Sequence, residues 1–447
     1  MIHKVLIANR GEIAVRIIRA CRELGIQTVA IHSTADSDSL HVIMADESVC
    51  VGGPASGDSY LNIPNIVSAA VNCGADSIHP GFGFLSENAK FAQICADCNI
   101  NFIGPSAEVI LLLGDKAMAK ETMIKAGVPT IPGSDGVVAN LTEAKKIAKK
   151  IGYPLLIKAV AGGGGRGIRL VNDATELADN FDVARNEAKM FFGNDGVYIE
   201  KYLTDTRHIE FQVMADKAGR AVHLGERDCS MQRRNQKMVE ESPSAKMSAE
   251  LRKKMGAAAV KATKASGYYN VGTVEFLVTA DNEFYFMEMN TRIQVEHPVT
   301  EQVTGIDIVK QQIMIADGKK LPFAQKDIEL RGHAIECRIN AEDPSHDFRP
   351  TGGFVEYLHV PSGMGVRFDS VLYQGYSIPM HYDSMLGKLI VWANTRDEAI
   401  AKMDSALSEL IIEGVGNNIE FLRQLIGSKE FKTGEYDMKT IGKIKGE

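Results

Sequence analysis

Hydrophobic positions in the first hundred or so residues switch between two periods. Residues 4–8 read as a strand, apolar from Val5 to Ala8, residues 12–24 repeat apolar side chains at helical spacing up to Gly25, and residues 27–32 return to a strand pattern. The alternation resumes with a strand at 77–80, the turn Gly81-Phe82-Gly83, a helix for which Ser86 is the expected N-cap, and a strand at 101–103. Repetition of this kind predicts a parallel, doubly wound sheet. The turn Asn9-Arg10-Gly11 has one glycine where a dinucleotide fingerprint needs three, so this unit is read as scaffold and substrate surface.

Gly, Pro and Ser crowd the stretch from Gly127 to Gly136, the composition of a linker into a new unit. That unit holds a helix at 141–151, a strand at 155–158, the run Ala161-Gly162-Gly163-Gly164-Gly165-Arg166-Gly167 and a strand at 168–171. From about Leu203 the pattern turns mainly antiparallel, with helices at 251–266 and 305–317 and a closing amphipathic helix at 396–410. The expected division is an N-terminal domain (1–114), a linker helix region (115–132), a small mobile lid (133–203) and a C-terminal domain (204–447).

Composition narrows the class without naming it. A chain of 447 residues, 45% hydrophobic and 24% charged, is long enough for two or three domains around a cleft. Mean hydropathy is -0.09. No apolar run reaches the roughly 18 residues of a membrane span, and the first residues do not follow the signal-peptide pattern, so a cytoplasmic, membrane-free protein is expected. The net charge of -7 argues against nucleic acid as a partner. Seven scattered cysteines, with Cys95 and Cys98 in a lone C-x-x-C inside a helical pattern, read as free thiols of a reducing compartment.

Three features carry chemistry. Adjacent glycines let backbone N–H groups wrap phosphate oxygens, and Lys158 just upstream of the glycine run supplies a cation; the run lacks the Gly-Lys-Ser/Thr ending of a P-loop. A hairpin of 273–278 and 284–290, turning at Asp281-Asn282, carries Glu275 and Glu288 among large apolar residues, where a divalent cation would compensate the buried charge. From Glu288, every second residue is polar: Asn290, Arg292, Gln294, Glu296. In extended backbone these share one side and form a wall leading away from the metal, with Arg292 to grip a planar oxyanion bidentately and Glu296 to accept its proton. His297 lies outside this set and reads as structural. The cationic and amide-rich stretch from Asp228 to Lys237 is, by itself, as readily a solvated surface.

Together these residues resemble the biotin carboxylase family of ATP-grasp enzymes over essentially the whole chain. The likeness rests on Ala8-Asn9-Arg10-Gly11-Glu12, the block from His79 to Asn88, the glycine run, the block from Phe286 to Pro298, and the block from Glu336 to Glu342. The resemblance implies an ATP-grasp fold, α/β and α+β, with ATP between the lid and the C-terminal domain. ATP would be held by Lys116, Lys158, Gly164, Gly165, Glu200, Lys201, Tyr202, Leu203, His208, Gln232, Asn235, Glu275, Leu277 and Glu288, and about two Mg²⁺ or Mn²⁺ ions by Glu275, Glu288 and Asn290. Bicarbonate would meet Lys237, Arg292, Gln294 and the backbone of Val295, with Glu296 as base and Arg338 facing the biotin ureido oxygen. The implied partners are a biotin carboxyl carrier protein, carboxyltransferase subunits and a second copy of the chain; no Met-Lys-Met biotin-bearing sequence is present, so the carrier is expected to be separate. The implied role is that of the carboxylase subunit of acetyl-CoA carboxylase. Ala161 stands where the family usually has glycine, and Asn235 where it usually has histidine; asparagine can still donate a hydrogen bond but cannot titrate, so a weaker nucleotide contact there with unchanged chemistry is expected. Another bicarbonate- or carboxylate-activating ATP-grasp ligase, such as a carbamoyl phosphate synthetase half, would share the lid and metal acids; Arg338 with Glu296-His297-Pro298 separates them. A non-catalytic nucleotide sensor would not need the polar series.

Overall fold

The computed structural model describes residues 1–160 and 167–446, so Gly164, Gly165 and most of the glycine run lie outside the described residues. The N-terminal unit runs β1 (Lys4–Ile7), α1 (Gly11–Glu23), β2 (Gln27–Ser33), α2 (Leu40–Met44), β3 (Glu47–Gly52), α3 (Ile63–Asn72), β4 (Ser77–His79), α4 (Ala89–Asp97), β5 (Asn101–Phe102) and α5 (Ala107–Gly114). Its five strands are all parallel in the order β3-β2-β1-β4-β5, so strand order reverses between β1 and β4. Ligand crevices open at such a reversal, beyond the carboxyl ends of the strands. Here the loops after β1 and β4 are stitched together by Asn9 Nδ2, which donates to the carbonyls of Pro80 and Phe82 at 2.7 Å each. Gly81 is needed at that crossing: its φ is +63° and a Cβ would meet Asn9 Nδ2 at 2.8 Å.

One helix start differs from expectation. Ser86 N donates to Gly83 O, so Ser86 still belongs to the turn, and Asn88 caps α4 by accepting from Phe91 N at 2.9 Å. The C-x-x-C pair has Cys95 buried in α4 and Cys98 exposed at its end, and all seven cysteines are free.

Two buried histidines in this unit give it a testable acid sensitivity. His41 is fully enclosed, with Nε2 3.2 Å from Ile31 O and Nδ1 2.8 Å from Ser39 Oγ, and burial pushes its imidazole down to about 4. His79, on β4, is pushed in the same direction, to about 3. The unfolded chain binds these protons near the ordinary value of 6.5 and the folded chain does not, so stability is full above 6.5 and is lost as pH falls toward 4. For His41 alone the loss amounts to about 3 kcal/mol. Between pH 7 and pH 4, chemical denaturation should show wild type losing about that much relative to His41→Gln; parallel pH curves for the two proteins would refute the assignment.

The second unit follows α6 (Lys116–Lys125): α7 (Leu141–Ile151), β6 (Leu155–Ala159), β7 (Ile168–Val171), α8 (Leu177–Phe192) and β8 (Val197–Lys201). Its antiparallel sheet, β7-β6-β8, closes a small core in which Leu155, Ile157 and Ile199 pack against Ala144, Ala148 and Phe181. Strand alternation then puts Lys158 on the face away from that core.

The third unit contains β9 (Arg207–Ala215), β10 (Ala221–Arg233), β11 (Gln236–Ser242), α9 (Ala249–Ala265), β12 (Asn270–Val278), β13 (Phe284–Asn290), α10 (His297–Thr304), α11 (Ile308–Ala316) and β14 (His333–Asn340). An antiparallel eight-stranded sheet runs β13-β12-β9-β10-β11-β14 and continues through Met385–Ala393 to Val366–Ser370. The helix expected at 305–317 is shorter: Gly305, in the left-handed region, ends α10, and Asp307 caps α11.

This sheet has two unlike faces. Ile209, Phe211 and Val213 of β9 and Val274, Phe276 and Val278 of β12 pack against Met255 and Ala259 of α9. The intervening residues, His208, Glu210 and Gln212 on β9 with Thr273, Glu275 and Leu277 on β12, therefore point the other way. On β14, Ile335, Cys337 and Ile339 enter a separate apolar core, leaving Glu336 and Arg338 on the polar side. Among the described residues no helix is long and apolar enough to cross a membrane.

Candidate active site

The polar face gathers around one ammonium group. Lys237 Nζ on β11 donates to Glu210 Oε2 at 2.7 Å, Glu275 Oε1 at 3.2 Å and Glu296 Oε1 at 2.7 Å. Burial works against its charge, but the three carboxylates hold its pKa well above the usual lysine value. Each of those carboxylates also meets a second basic group. Arg227, wholly buried, donates from Nε to Glu210 Oε1 at 2.5 Å and from Nη2 to Gln294 Oε1 at 3.0 Å. His208 Nε2 lies 2.9 Å from Glu275 Oε2. Arg338 donates from Nη2 to Glu296 Oε2 at 2.9 Å and from Nε to Glu240 Oε1 at 2.6 Å. Burial favours the neutral form of Glu296, yet Lys237, Arg338 and Arg227 hold its carboxyl well below the ordinary range.

Glu275 and Glu288 are register partners across the β12–β13 hairpin. Like charges directly opposite one another are unfavourable. Burial and the neighbouring Glu275 push Glu288 up, while Lys237 and His208 pull Glu275 down against its burial. Asn290 joins them, donating from Nδ2 to Glu275 Oε1 at 2.8 Å. Two facing, largely buried carboxylates and an amide oxygen are the donor set of a hard divalent cation, so these residues fit Mg²⁺ or Mn²⁺.

The polar series is not one extended strand. Pairing stops at Asn290, the chain bends at Thr291–Arg292, and Glu296 is already the N-terminal flank of α10, with ψ 12°. The bend is held from the N-terminal unit: Glu87 accepts from Thr291 N at 3.0 Å and from Arg292 Nε at 2.9 Å. Gln294 still reaches Glu275 Oε1 at 2.7 Å, and Glu296 reaches Lys237. Arg292 instead bridges Glu87 and Asn290 Oδ1, the latter at 2.9 Å.

The expected nucleotide residues fall into three places. On the lid face, Glu200 accepts from Lys158 at 2.7 Å and from Lys120 at 3.3 Å, while Lys201 turns to the Tyr153 carbonyl at 2.7 Å. Tyr202 N donates to Pro154 O, and Leu203 follows it, half-buried. On the sheet face, His208 is the register partner of Leu277 and approaches Gln232 Nε2 at 3.4 Å. Lys116 is exposed at the start of α6. Asn235 sits apart and exposed at the tip of the β10–β11 hairpin, where Arg234 and Asn235 have φ of 49° and 65°. A two-residue turn with both φ positive suits asparagine, which accounts for its fit there.

Sequence reading missed Glu210, Arg227, Glu240 and Glu87. Glu210 was legible: His208, Glu210 and Gln212 alternate with Ile209, Phe211 and Val213, the same signal used for the hairpin.

Comparison with known proteins follows the same outline. Residues 1–110 match the biotin carboxylase N-terminal domain, 115–324 the carbamoyl-phosphate synthase L chain ATP binding domain, and 336–443 the biotin carboxylase C-terminal domain. Biotin carboxylase 1 of Bacillus subtilis is 57% identical over 442 residues, covering 99% of this chain and 98% of that one. The structure of a Campylobacter jejuni biotin carboxylase complex with β-γ-ATP superposes with a TM-score of 0.94 at 50% identity, covering 99% of each chain. The biotin carboxylase domain dimer of Hydrogenobacter thermophilus 2-oxoglutarate carboxylase, solved with MgADP, ADP and bicarbonate, gives 0.91 at 52% identity, covering 99% and 98%. Identity of this order along nearly the whole of both chains establishes that the chain belongs to the biotin carboxylase family, the ligases that carboxylate biotin using ATP and bicarbonate.

Proposed function

We propose that this enzyme performs the first half-reaction of acetyl-CoA carboxylase in the cytoplasm, carboxylating biotin on a separate carrier protein for a carboxyltransferase that makes malonyl-CoA for fatty acid synthesis. In this reading it works as a homodimer, with 133–203 closing as a lid over ATP held between it and the domain from 204 onward. The observation that carries the reading is Lys237, which draws Glu210, Glu275 and Glu296 together between the facing acids of the hairpin and Arg338.

Lys158 and His208 flank the space for nucleotide, and a cation on Glu275, Glu288 and Asn290 would supply charge neutralisation at the phosphates. Bicarbonate docks on Lys237, Arg292 and Gln294. As an anion it competes with Glu296 for Lys237 and Arg338, and its charge arrives beside that carboxylate. Both changes raise the basicity of Glu296, so the base is released by the substrate it must deprotonate. The freed oxygen attacks the γ-phosphorus, ADP leaves, and the resulting carboxyphosphate breaks to CO₂ and phosphate. Phosphate takes the proton from the biotin ring nitrogen, Arg338 steadies the charge gathering on the ureido oxygen, and the nitrogen attacks CO₂.

The test is ADP release by the purified chain with free biotin. Release should require both bicarbonate and biotin and should yield labelled carboxybiotin from labelled bicarbonate. Release that ignores biotin, with no labelled product, would point to a different acceptor.

A further inference from the structure

Lysine is seldom wholly buried, and the strand Met385–Ala393 places one in its middle: Lys388 is 0% exposed between Gly387 and Leu389. Its Nζ donates to the Val295 carbonyl at 2.7 Å and lies 3.1 Å from Glu12 Oε1, at the start of α1 in the N-terminal unit. The preceding carbonyl is pinned as well. His297 Nδ1 lies 2.8 Å from Gln294 O, a contact that requires Nδ1 to carry the proton, and His297 N reaches the same oxygen at 3.3 Å.

In a planar trans peptide the C=O and the following N–H point in opposite directions. Holding the Gln294 and Val295 carbonyls from behind therefore turns the amides of Val295 and Glu296 the other way. A buried ion pair is weak support for a fold, since apolar residues of similar volume serve as well or better. Lys388 and Glu12 are better explained by what they orient.

We infer that Lys388, braced by Glu12, and His297 form a backbone clamp that aims the amides of Val295 and Glu296 into the bicarbonate pocket, making both positioning residues for the bicarbonate-activating step. The inference rests on the reading that bicarbonate binds beside Glu296.

Lys388→Met alone strands the Glu12 carboxylate, so the informative protein is the full chain with Glu12→Gln and Lys388→Met together, which removes both charges and keeps the volume. Loss of one directed amide should raise the Michaelis constant for bicarbonate and lower kcat/KM for bicarbonate about 10–100-fold, with the constant for ATP within about twofold of wild type. His297→Leu, which removes the 2.8 Å side-chain contact and leaves the Gln294 carbonyl only the 3.3 Å backbone one, should move the same constant in the same direction, by less. Bicarbonate and ATP constants that shift together, or wild-type kinetics in the double variant, would leave Lys388 a mere strut and overturn the clamp alone. Wild-type enzyme whose ADP release ignores bicarbonate would overturn the clamp together with the reading beneath it.

Discussion

Arg338→Ala should lower biotin carboxylation about 10²–10³-fold while leaving the Michaelis constant for ATP little changed. The guanidinium is fixed before substrate arrives. Its Nε is anchored to Glu240 on the neighbouring strand and its Nη2 to Glu296, so two strands and the start of α10 set its plane. A donor held this rigidly costs no reorganisation when negative charge gathers on the ureido oxygen. The ATP-side residues Lys158, Glu200 and His208 share no hydrogen bond with it, which is why nucleotide binding should survive. Truncation also strands Glu240, whose carboxyl burial already pushes up to about 7, and removing one partner of a buried pair costs on the order of 3–5 kcal/mol. Turnover is therefore compared below the thermal midpoint of the variant. Carboxylation near the wild-type rate would remove Arg338 from the biotin step.

The parts of this site that a sequence exposes are those encoded within one strand or one hairpin. Glu275 and Glu288 stand out because each interrupts an apolar strand, but their face-to-face pairing depends on a bulge: the register at the Asp281-Asn282 turn would set Glu275 against Met287, and the shift between Phe276 and Glu275 sets it against Glu288 instead. The parallel N-terminal sheet was legible for the same reason, since each β-α-β step is local. What was not legible depends on distant segments meeting. Glu87 bends the chain at Thr291 across 204 residues of sequence, and no periodicity in the block from Glu288 to Glu296 announces that its strand geometry ends at Asn290. Alternation assumed the wrong backbone: Gln294 and Glu296 reach the cluster through a turn into α10, and Arg292 turns to Glu87. Arg227 and Glu240 were invisible because a buried charge looks like a surface charge until its partner is known. Ser86 and Asn88 are both good caps, and only the turn from Gly83 decides between them.

Glu296→Gln should be the more damaging change, reducing bicarbonate-dependent ATP cleavage about 10²–10⁴-fold, the range of a lost general base. Glutamine keeps the volume and can still accept from Lys237, so the loss would report basicity rather than shape. Lys237 retains Glu210 and Glu275, and Arg338 retains Glu240, so neither cation is left without a counter-charge and the fold should persist. In the free enzyme Lys237, Arg338 and Arg227 hold Glu296 ionised against its burial, far below the ordinary carboxylate range. Its protonation therefore imposes no acid limb on kcat/KM for bicarbonate at neutral pH, and any fall in rate there belongs to another group. The matching observation is the pH profile of wild type beside that of the variant: a uniform drop with unchanged shape is expected. A variant that kept more than about a tenth of the wild-type rate would transfer the proton-accepting role from Glu296 to another group.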